Sequence, residues 1–386
     1  MDALTRLKSL SGQMSFEPDG ERAGPVESTA KPGCFVPQRE VMVQPARMPG
    51  GKSIKLLKSL LTSACERDCF YCPFRAGRDF RRATFKPDEY ARIFMQLNQA
   101  GIAEGTFLSS GIAGGGIRTQ DRLIETAEIL RGKLGFRGYL HIKIMPGSEK
   151  AQVERTMELA DRVSINLEAP NTASLARLAP HKVFLEELLA PLRWVEEIRR
   201  EQPALKSWRG RWPSSTTQFV VGAAGESDVE ILGTSAWLMK NVRLQRAYFS
   251  AFSPVRDTPL ENLPATDPVR ELRLYQASFL LRDYGFFMEE LPFADNGLLP
   301  LAADPKFLWA QLHLLQNPLD LSNADPQQLL RVPGIGPKGS AAILQARRTG
   351  KLRDLSSLRK LGIFAERAAP YILLHGKRPA FQPSLL

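Results

Sequence analysis

The sequence predicts an α/β fold: a partial (β/α)6 TIM-like barrel followed by a small all-α domain. From about residue 51, six short apolar runs alternate with six helical patterns. Polar residues, Gly or Pro bound each run, as is typical of buried parallel strands. Beyond residue 319 the composition changes to short helices and glycine-rich turns. Six strand–helix units close only part of an eight-unit barrel, so we expect an open barrel with its site at the carboxyl ends of the strands.

Each predicted element has a local reason in the sequence. The strands are apolar runs between turn-forming residues: Lys58–Ala64, Gly105–Gly111, Tyr139–Pro146, Arg162–Ala169, Thr216–Gly222 and Leu244–Phe252. The helices carry apolar residues at helical spacing: Asp88–Ala100, Gln120–Leu134, Glu149–Ala160, Phe184–Gln202, Ser227–Asn241 and Pro268–Tyr284. Asp267 followed by Pro268 favours an N-cap and a first helical turn.

The chain divides into four predicted parts. Residues 1–50 form an N-terminal extension that is rich in Gly, Pro and charge, and residues 51–290 form the barrel. Residues 291–319 are a connecting segment, and residues 320–386 are the all-α domain. The last boundary rests on a change of composition alone.

The composition is that of an ordinary globular protein. Of 386 residues, 43% are hydrophobic and 24% are charged, and no apolar run approaches the length of a membrane span. The first twenty residues are polar and acidic, unlike a secretory signal. We therefore predict a cytoplasmic protein that has no membrane partner.

Positive charge is concentrated near the carboxyl terminus. The net charge is +11, and residues 320–386 contain eleven Lys and Arg residues against four Asp and Glu residues. Such a segment indicates a polyanionic partner, because Lys and Arg bound to phosphates release condensed counterions. The alternative is charge that only keeps the domain in solution.

Three of the four cysteines lie within eight residues. Cys65, Cys69 and Cys72 follow the first predicted barrel strand with C-x3-C-x2-C spacing. Three thiolates on one loop can each ligate one iron of a [4Fe–4S] cubane. The alternative is zinc, which needs four ligands, and the only spare thiol is Cys34. The spacing therefore favours a cluster, and we interpret Cys34 as incidental rather than as a hydrogen-atom donor.

With Tyr71 before its last cysteine, this triplet resembles the signature of the radical S-adenosylmethionine (SAM) superfamily over about residues 51–290. The resemblance implies an enzyme with two cofactors, a [4Fe–4S] cluster on three cysteines and SAM on the fourth iron. One-electron reduction of SAM by such an enzyme releases a 5′-deoxyadenosyl radical. An electron donor such as flavodoxin or ferredoxin is implied as well.

The same resemblance assigns SAM contacts along the barrel. Ser109, Ser110 and Gly111 stand where the superfamily has a Gly-Gly-Glu-like motif that receives the SAM amino group, so this chain departs from that pattern. Glu168 stands where a polar residue often binds the ribose; the alternative is a structural salt bridge. The full set of implied cofactor-binding residues is Tyr71, Ser109, Ser110, Gly111, Glu168, Val220, Glu226 and Ser253.

Val220, Glu226 and Ser253 lie in or just after the fifth and sixth predicted strands. Residues 218–226 resemble the motif G-x-I-x-G-x-x-E, although Gln218 replaces its first glycine. Val220 would pack on the adenine, while Glu226 has the alternative of capping the helix that starts near Ser227. Ser253, after the sixth strand, would meet the adenine edge through backbone groups.

The basic segment contains a second motif. Residues 330–338, LRVPGIGPK, resemble a helix-hairpin-helix motif that binds DNA without sequence specificity. Gly334 and Gly336 permit a tight turn that exposes N–H groups at a helix N-terminus, where a phosphate is favoured, and Lys338 adds a cation. The implied nucleic-acid contacts are Gly334, Ile335, Gly336 and Lys338. A weaker copy over residues 358–364 has Phe364 in place of Gly336, which indicates a packing role. The alternative for the region is a helical protein-interaction module.

Together, the barrel, the hairpins and the stretches 167–171 and 179–182 resemble a family of radical SAM proteins associated with DNA modification or repair. That family is associated with a uracil-DNA-glycosylase-like partner. Three functions remain open: a radical SAM enzyme acting on DNA, one acting on RNA, and a non-catalytic iron–sulfur protein that binds DNA. A methyltransferase relay through two further cysteines is disfavoured, because only Cys34 remains.

Overall fold

The structure, a computed structural model, describes residues 2–16, 43–48 and 52–380. Cys34, discussed above as an incidental thiol, lies outside the described residues. Within the described part of the chain, no helix is both long enough and apolar enough to span a bilayer.

One seven-stranded sheet dominates the amino-terminal part of the chain, with its strands side by side in sequence order. The first strand pairs antiparallel with the second, and every later pair is parallel. The strands are β1 Val43–Arg47, β2 Ser53–Leu60, β3 Gly105–Ser109, β4 Tyr139–Lys143, β5 Arg162–Ser164, β6 Ser214–Val221 and β7 Arg246–Ala251. β3 and β4 are buried throughout, as expected of parallel strands covered on both faces.

The six predicted barrel strands are confirmed as β2 to β7, with ends that shift by up to five residues. β1 was not predicted, because residues 1–50 are rich in Gly, Pro and charge and show no clear periodicity. β1 is a short edge strand that contains Pro45, a residue that cannot donate to a ladder and that is tolerated at a sheet edge.

The helices connect and follow the strands. They are α1 Ala3–Gly12, α2 Pro87–Gln99, α3 Gly116–Glu128, α4 Lys150–Leu159, α5 Thr172–Leu178, α6 Ala190–Glu201, α7 Asp228–Asn241, α8 Pro268–Asp283, α9 Pro305–His313, α10 Pro326–Arg331, α11 Pro337–Arg348, α12 Leu355–Lys360 and α13 Ala365–Ala368. A π-helical turn, Ile129–Lys133, extends α3, and another, Phe184–Leu189, precedes α6. The predicted N-cap is confirmed, because the Asp267 side chain accepts from the Val269 N–H at 2.8 Å.

The sheet is curved into a partial barrel. One cavity is lined from the carboxyl ends of all six parallel strands, by Leu60, Ser110, Lys143, Asn166, Gln218 and Ser250. Six strands in a flat sheet would extend over about 24 Å, at roughly 4.8 Å per pair. The first and last strands can share a small cavity only if the sheet curls, so the α/β, TIM-like part of the predicted fold is confirmed.

The chain forms two compact units. The first comprises Met1–Glu226 and Trp237–Thr266, and the second comprises Ser227–Ala236 and Asp267–Leu386. The second unit thus includes α8, which the sequence analysis placed in the barrel part. It also includes α9, which lies inside the predicted connecting segment 291–319.

The second unit has its own apolar core and two pairs of short helices. Its buried residues include Ala310, Leu321, Leu329, Val332, Ile343, Leu358 and Ile372. A two-stranded parallel sheet joins β8 Leu319–Asp320 to β9 Ile372–Leu373. α10 and α11 flank residues 332–336, and α12 and α13 flank residues 361–364, the two positions of the predicted hairpins. The identification of these pairs as helix-hairpin-helix motifs stays a prediction.

Candidate functional site

The three cysteines lie on the loop between β2 and α2, and this loop rests on the end of β3. The Gly111 N–H donates to the Thr62 carbonyl at 2.7 Å, and the Glu66 N–H donates to the Ile112 carbonyl at 2.8 Å. The approach is so close that a Cβ at position 111 would lie 2.3 Å from the Ala64 carbonyl oxygen. Only glycine fits this backbone contact, which fixes the loop at the barrel end.

A second set of contacts ties the cysteine loop to the segment after β5. The Phe70 N–H donates to the Leu178 carbonyl at 2.7 Å. Arg67 donates to the His181 carbonyl at 2.7 Å, and the His181 Nδ1 lies 2.6 Å from the Asp68 carboxylate. The stretch 179–182, which carried part of the family resemblance, is therefore in contact with the cysteine loop.

A cavity of about 380 Å³ opens at this end of the barrel, within the usual size range of ligand sites. Cys65, Cys69 and Cys72 all line it. Six of the eight implied cofactor-binding residues line the same cavity: Tyr71, Ser110, Gly111, Glu168, Val220 and Ser253. The structure thus brings together thiols and motif residues from five segments of the chain.

The other two implied residues, Ser109 and Glu226, are not among the lining residues. Ser109 is buried, and among the described residues its hydroxyl has no hydrogen-bond partner. The Glu226 carboxylate accepts from the Gly222 N–H and, at 3.0 Å, from the Ala224 N–H. Glu226 therefore organises the loop after β6. Ser227 and Glu230 cap the start of α7 reciprocally, at 3.3 and 2.8 Å.

Glu168 lines the cavity and also forms a salt bridge, so the ribose-binding role implied by the resemblance stays a prediction. Its side chain lines the cavity, and its Oε1 accepts from the Lys182 ammonium at 3.1 Å, with both side chains less than a tenth exposed. Its backbone has a φ of 65°, which is rare for a residue other than glycine. Glu168 is therefore both a salt-bridge partner at the barrel rim and part of the cavity wall.

The electrostatics of this corner favour a charged Glu168. Burial raises the pKa of the Glu168 carboxyl, but Lys182, Lys143 and hydrogen bonds from Lys182 and Tyr71 lower it below its ordinary value. Burial, together with the Glu168 charge, raises the pKa of Tyr71 well above its ordinary value, so its hydroxyl stays protonated and can donate.

The three cysteine thiols suit an iron–sulfur cluster, because thiolates are its usual ligands and all three line one cavity. Burial raises the pKa of Cys69 and of Cys72, so metal binding at this loop would release protons. Among the described residues, no group of three or more His, Cys, Asp or Glu side chains lies close enough to hold a single metal ion. A cubane binds each thiolate through a different iron, so its ligands need not converge on one point.

Lys143, Asn166 and Ser250 are among the cavity-lining residues that were not assigned to the site from the sequence. Asn166 lies two residues beyond Ser164, the last residue of β5, so its position just after a strand end is the signal that could have found it. Lys143 and Ser250 lie at or near the carboxyl ends of β4 and β7, where the barrel places its site.

The implied nucleic-acid residues lie together in the second unit, in the turn before α11. Gly334 has a φ of 84°, and a Cβ there would lie 2.6 Å from the Phe364 carbonyl oxygen. Ile335 is buried, and its main-chain groups are engaged within the unit: its N–H donates to the Val332 carbonyl at 3.2 Å, and its carbonyl accepts from the Lys306 ammonium at 2.5 Å. Lys338 is exposed. Gly336 begins α11 without a side-chain cap.

Comparison with known proteins gives similarity of fold only. No protein-family model matches the chain, and no curated protein matches it. Forty-five chains of known structure are similar to it. The FeFe-hydrogenase maturase HydG from Carboxydothermus hydrogenoformans has a TM-score of 0.45 and 14% identity, over 58% of this chain and 51% of HydG.

A second HydG structure has a TM-score of 0.46 and 10% identity, over 58% of this chain and 49% of that one. Methylornithine synthase (PylB) has a TM-score of 0.46 and 14% identity, over 86% of this chain and 74% of PylB. The matched region thus spans about half the length of the HydG chains. Because all three TM-scores are below 0.5, we base the function on the residues of the site.

Proposed function

We propose that this protein is a radical SAM enzyme in which Cys65, Cys69 and Cys72 bind a [4Fe–4S] cluster and the adjoining cavity binds SAM. The supporting observation is the convergence of the cysteine loop with residues from five strand ends on one cavity. Three thiols on one loop suit a cluster that keeps one iron open to SAM.

When bound, the two cofactors would supply one-electron cleavage of a carbon–sulfur bond. The chain's own part is to hold and shield them. Glu66 accepts from the Gly114 and Gly115 N–H groups at 3.0 and 3.1 Å, which fixes the turn after β3 against the cysteine loop. Ile144, Met145 and Phe252 give the cavity apolar walls that exclude water. The buried Glu168–Lys182 pair offers a fixed carboxylate for a hydroxyl of the ligand.

Anaerobic reconstitution tests this proposal. The wild type should bind about four irons per chain and, with dithionite, convert SAM to 5′-deoxyadenosine. Cys72→Ala should lose both properties, while Cys34→Ala, which removes the one cysteine that is not part of the C-x3-C-x2-C sequence motif, should keep them. Stoichiometric zinc without iron, or a full cluster in Cys72→Ala, would contradict the assignment.

We further propose that the substrate is DNA. The second unit supports this with paired short helices at the hairpin positions, an excess of seven positive charges in residues 320–386, and a helix start without a side-chain cap beside Lys338. RNA is the second candidate, because a phosphate contact does not distinguish the two backbones. An electron donor and a uracil-DNA-glycosylase-like partner belong to this proposal as well.

Point variants test the hairpins better than truncation. Removing all residues after 319 would cut the core of the second unit, since Ala310 and Leu314 pack in it. Lys338→Glu should weaken DNA binding by about tenfold at low salt and flatten its salt dependence, whatever the sequence of the DNA. Competition with RNA of the same sequence decides between the substrates, and unchanged binding by Lys338→Glu would remove the hairpin from the interface.

A non-catalytic iron–sulfur protein is the remaining alternative. It would bind DNA and iron as the enzyme does, but it would leave SAM intact. Release of 5′-deoxyadenosine by the wild type therefore separates the two functions.

A further inference from the structure

The loop that carries the cysteines continues into a segment with four arginines. Arg75, Arg78, Arg81 and Arg82 lie within eight residues, and Asp79 is the one acidic residue among them. A fifth arginine, Arg256, lies on the loop after β7. We call these five residues the arginine rim.

The arginine rim lies at the mouth of the cavity. Arg75 directly follows the cavity-lining residues Pro73 and Phe74, and Arg256 directly follows Val255, which also lines the cavity. The two loops are joined, because Arg78 donates through Nε to the Arg256 carbonyl at 2.9 Å and through Nη1 to the Pro73 carbonyl at 3.1 Å. The rim therefore belongs to the same barrel end as the cysteines.

Main-chain carbonyls orient the side chains of Arg75, Arg78 and Arg82 without neutralising their charges. Arg82 donates to four main-chain carbonyls, two of them at 2.9 Å and one at 3.0 Å. Arg75 donates to the Asp68 main-chain carbonyl at 3.4 Å. Within the described ranges, none of the four loop arginines has a carboxylate within 4.0 Å, and Arg256 meets only Asp257 at 3.9 Å, with both side chains exposed. Carbonyls orient guanidinium groups without removing their charge, so the rim remains able to bind an anion.

Two aromatic residues, Phe74 and Phe80, connect the cavity with the arginine rim. The Phe80 ring lies beneath the guanidinium carbons of Arg78, at 5.5 Å, and of Arg82, at 4.4 Å. It also lies 6.0 Å from the ring of Phe74, which lines the cavity. Arginines interleaved with aromatic rings are typical of surfaces that bind single-stranded nucleic acid through phosphates and stacked bases.

We propose that the arginine rim binds the phosphate backbone of a nucleic-acid strand whose target nucleotide enters the cavity unpaired, either from a single strand or by extrusion from a duplex. This inference rests on the proposed nucleic-acid substrate and names the form in which it is bound. A base inside a duplex cannot reach a reactive centre within a cavity, so it must leave the stack. Phe80 favours a nucleic acid over an acidic protein as the partner of the rim. Its ring offers a face on which a neighbouring base can stack, which an acidic protein would not need.

The test uses the full-length chain and a short fluorescein-labelled single-stranded DNA, with the same sequence as a duplex for comparison. Arg81→Glu and Arg256→Glu change exposed residues for which the structure shows no side-chain hydrogen bond. Each should weaken single-strand binding about five- to tenfold near 0.1 M salt and lower the salt slope by about 0.7. The wild type should prefer the single strand to the duplex.

Arg200→Glu is the matched control. Arg200 is exposed in the last turn of α6, and helices of a barrel run back toward the amino-terminal ends of the strands, opposite the cavity. The control should bind DNA as the wild type does. SAM cleavage with dithionite should be unchanged in all three variants, which shows that the cavity is intact.

Three outcomes would overturn the inference. The first is unchanged DNA binding by both rim variants, and the second is an equal loss in Arg200→Glu. The third is normal DNA binding together with slower SAM cleavage only when reduced flavodoxin replaces dithionite, which would assign the rim to an acidic electron donor. If the wild type itself binds neither DNA nor RNA, the proposed substrate is contradicted as well. If the wild type binds and the rim variants bind equally well, only the role of the arginine rim is contradicted and the proposed substrate stands.

Discussion

Replacing Gly111 with alanine should displace the cysteine loop and lower the iron content of the protein. The added Cβ would lie 2.3 Å from the Ala64 carbonyl oxygen and 3.2 Å from the Cys65 Cβ. Because the obstacle is main chain rather than the end of a flexible side chain, the loop itself must move. Forced repacking of this kind costs about 1–3 kcal/mol. At roughly 2–4 °C per kcal/mol for a domain of this size, the melting temperature should fall by about 2–12 °C.

The assay compares melting temperature with iron bound after anaerobic reconstitution. Gly132→Ala is the matched control, since a Cβ at that position has no atom within 4 Å and the backbone there is helical. The control should keep its iron, with a melting temperature equal to or slightly above that of the wild type. A Gly111→Ala variant that retains both full iron and the wild-type melting temperature would refute the role assigned to this backbone contact.

Two further predictions concern buried charges. Lys182→Met should destabilise the metal-free protein by about 3 kcal/mol, because it leaves the Glu168 carboxylate buried without its ion-pair partner; Glu168→Gln in the same chain should recover part of the loss in urea denaturation. Burial lowers the pKa of Lys306 from 10.5 to about 7. The unfolded chain therefore holds this proton more tightly than the folded chain, so the free energy of unfolding should rise with pH between about 7 and 10.5, by at most about 1.4 kcal/mol per pH unit. Lys306→Met should lack this rise, and an equal pH dependence in the variant and the wild type would contradict the prediction.

The barrel strands could be predicted because each is a short apolar run that ends at turn-forming residues. The elements that were missed lack such a signal. α5 has only seven residues, too few to show a helical period, and its clearest mark is the Asn171 side chain, which accepts from the Ser174 N–H at 2.9 Å. β1 contains a proline in a segment rich in Gly, Pro and charge, where no alternation is visible. Local periodicity thus predicts the long elements, but it does not reveal short elements such as α5 and β1, whose formation depends on tertiary contacts.

Most of the site residues predicted from motif order line the cavity, whereas Ser109 and Glu226 do not. Ser109 is the last residue of β3 and is fully buried, whereas Ser110, in the loop that follows, lines the cavity. Glu226 lies within four residues of Gly222, close enough for its carboxylate to satisfy the amides of its own loop. Neither position relative to the cavity could be predicted from motif spacing, which carries no information on burial or on local hydrogen bonds.

The contact that completes the site joins segments that are far apart in sequence, and it explains a strained residue. Glu168 lies about one hundred residues beyond the cysteine triplet, and its positive φ is unfavourable by about 1–3 kcal/mol. The strain persists because Glu168 is held from several directions. Its N–H donates to the Gln218 carbonyl at 3.0 Å, its carbonyl accepts from the Val220 N–H at 2.8 Å, and its carboxylate binds Lys182. Lys182 in turn follows His181, which binds Asp68 of the cysteine loop. The position of the cysteines therefore depends on β6 and on the segment after β5 as much as on their own spacing, which is why the spacing alone predicts the ligands but not the walls of the cavity.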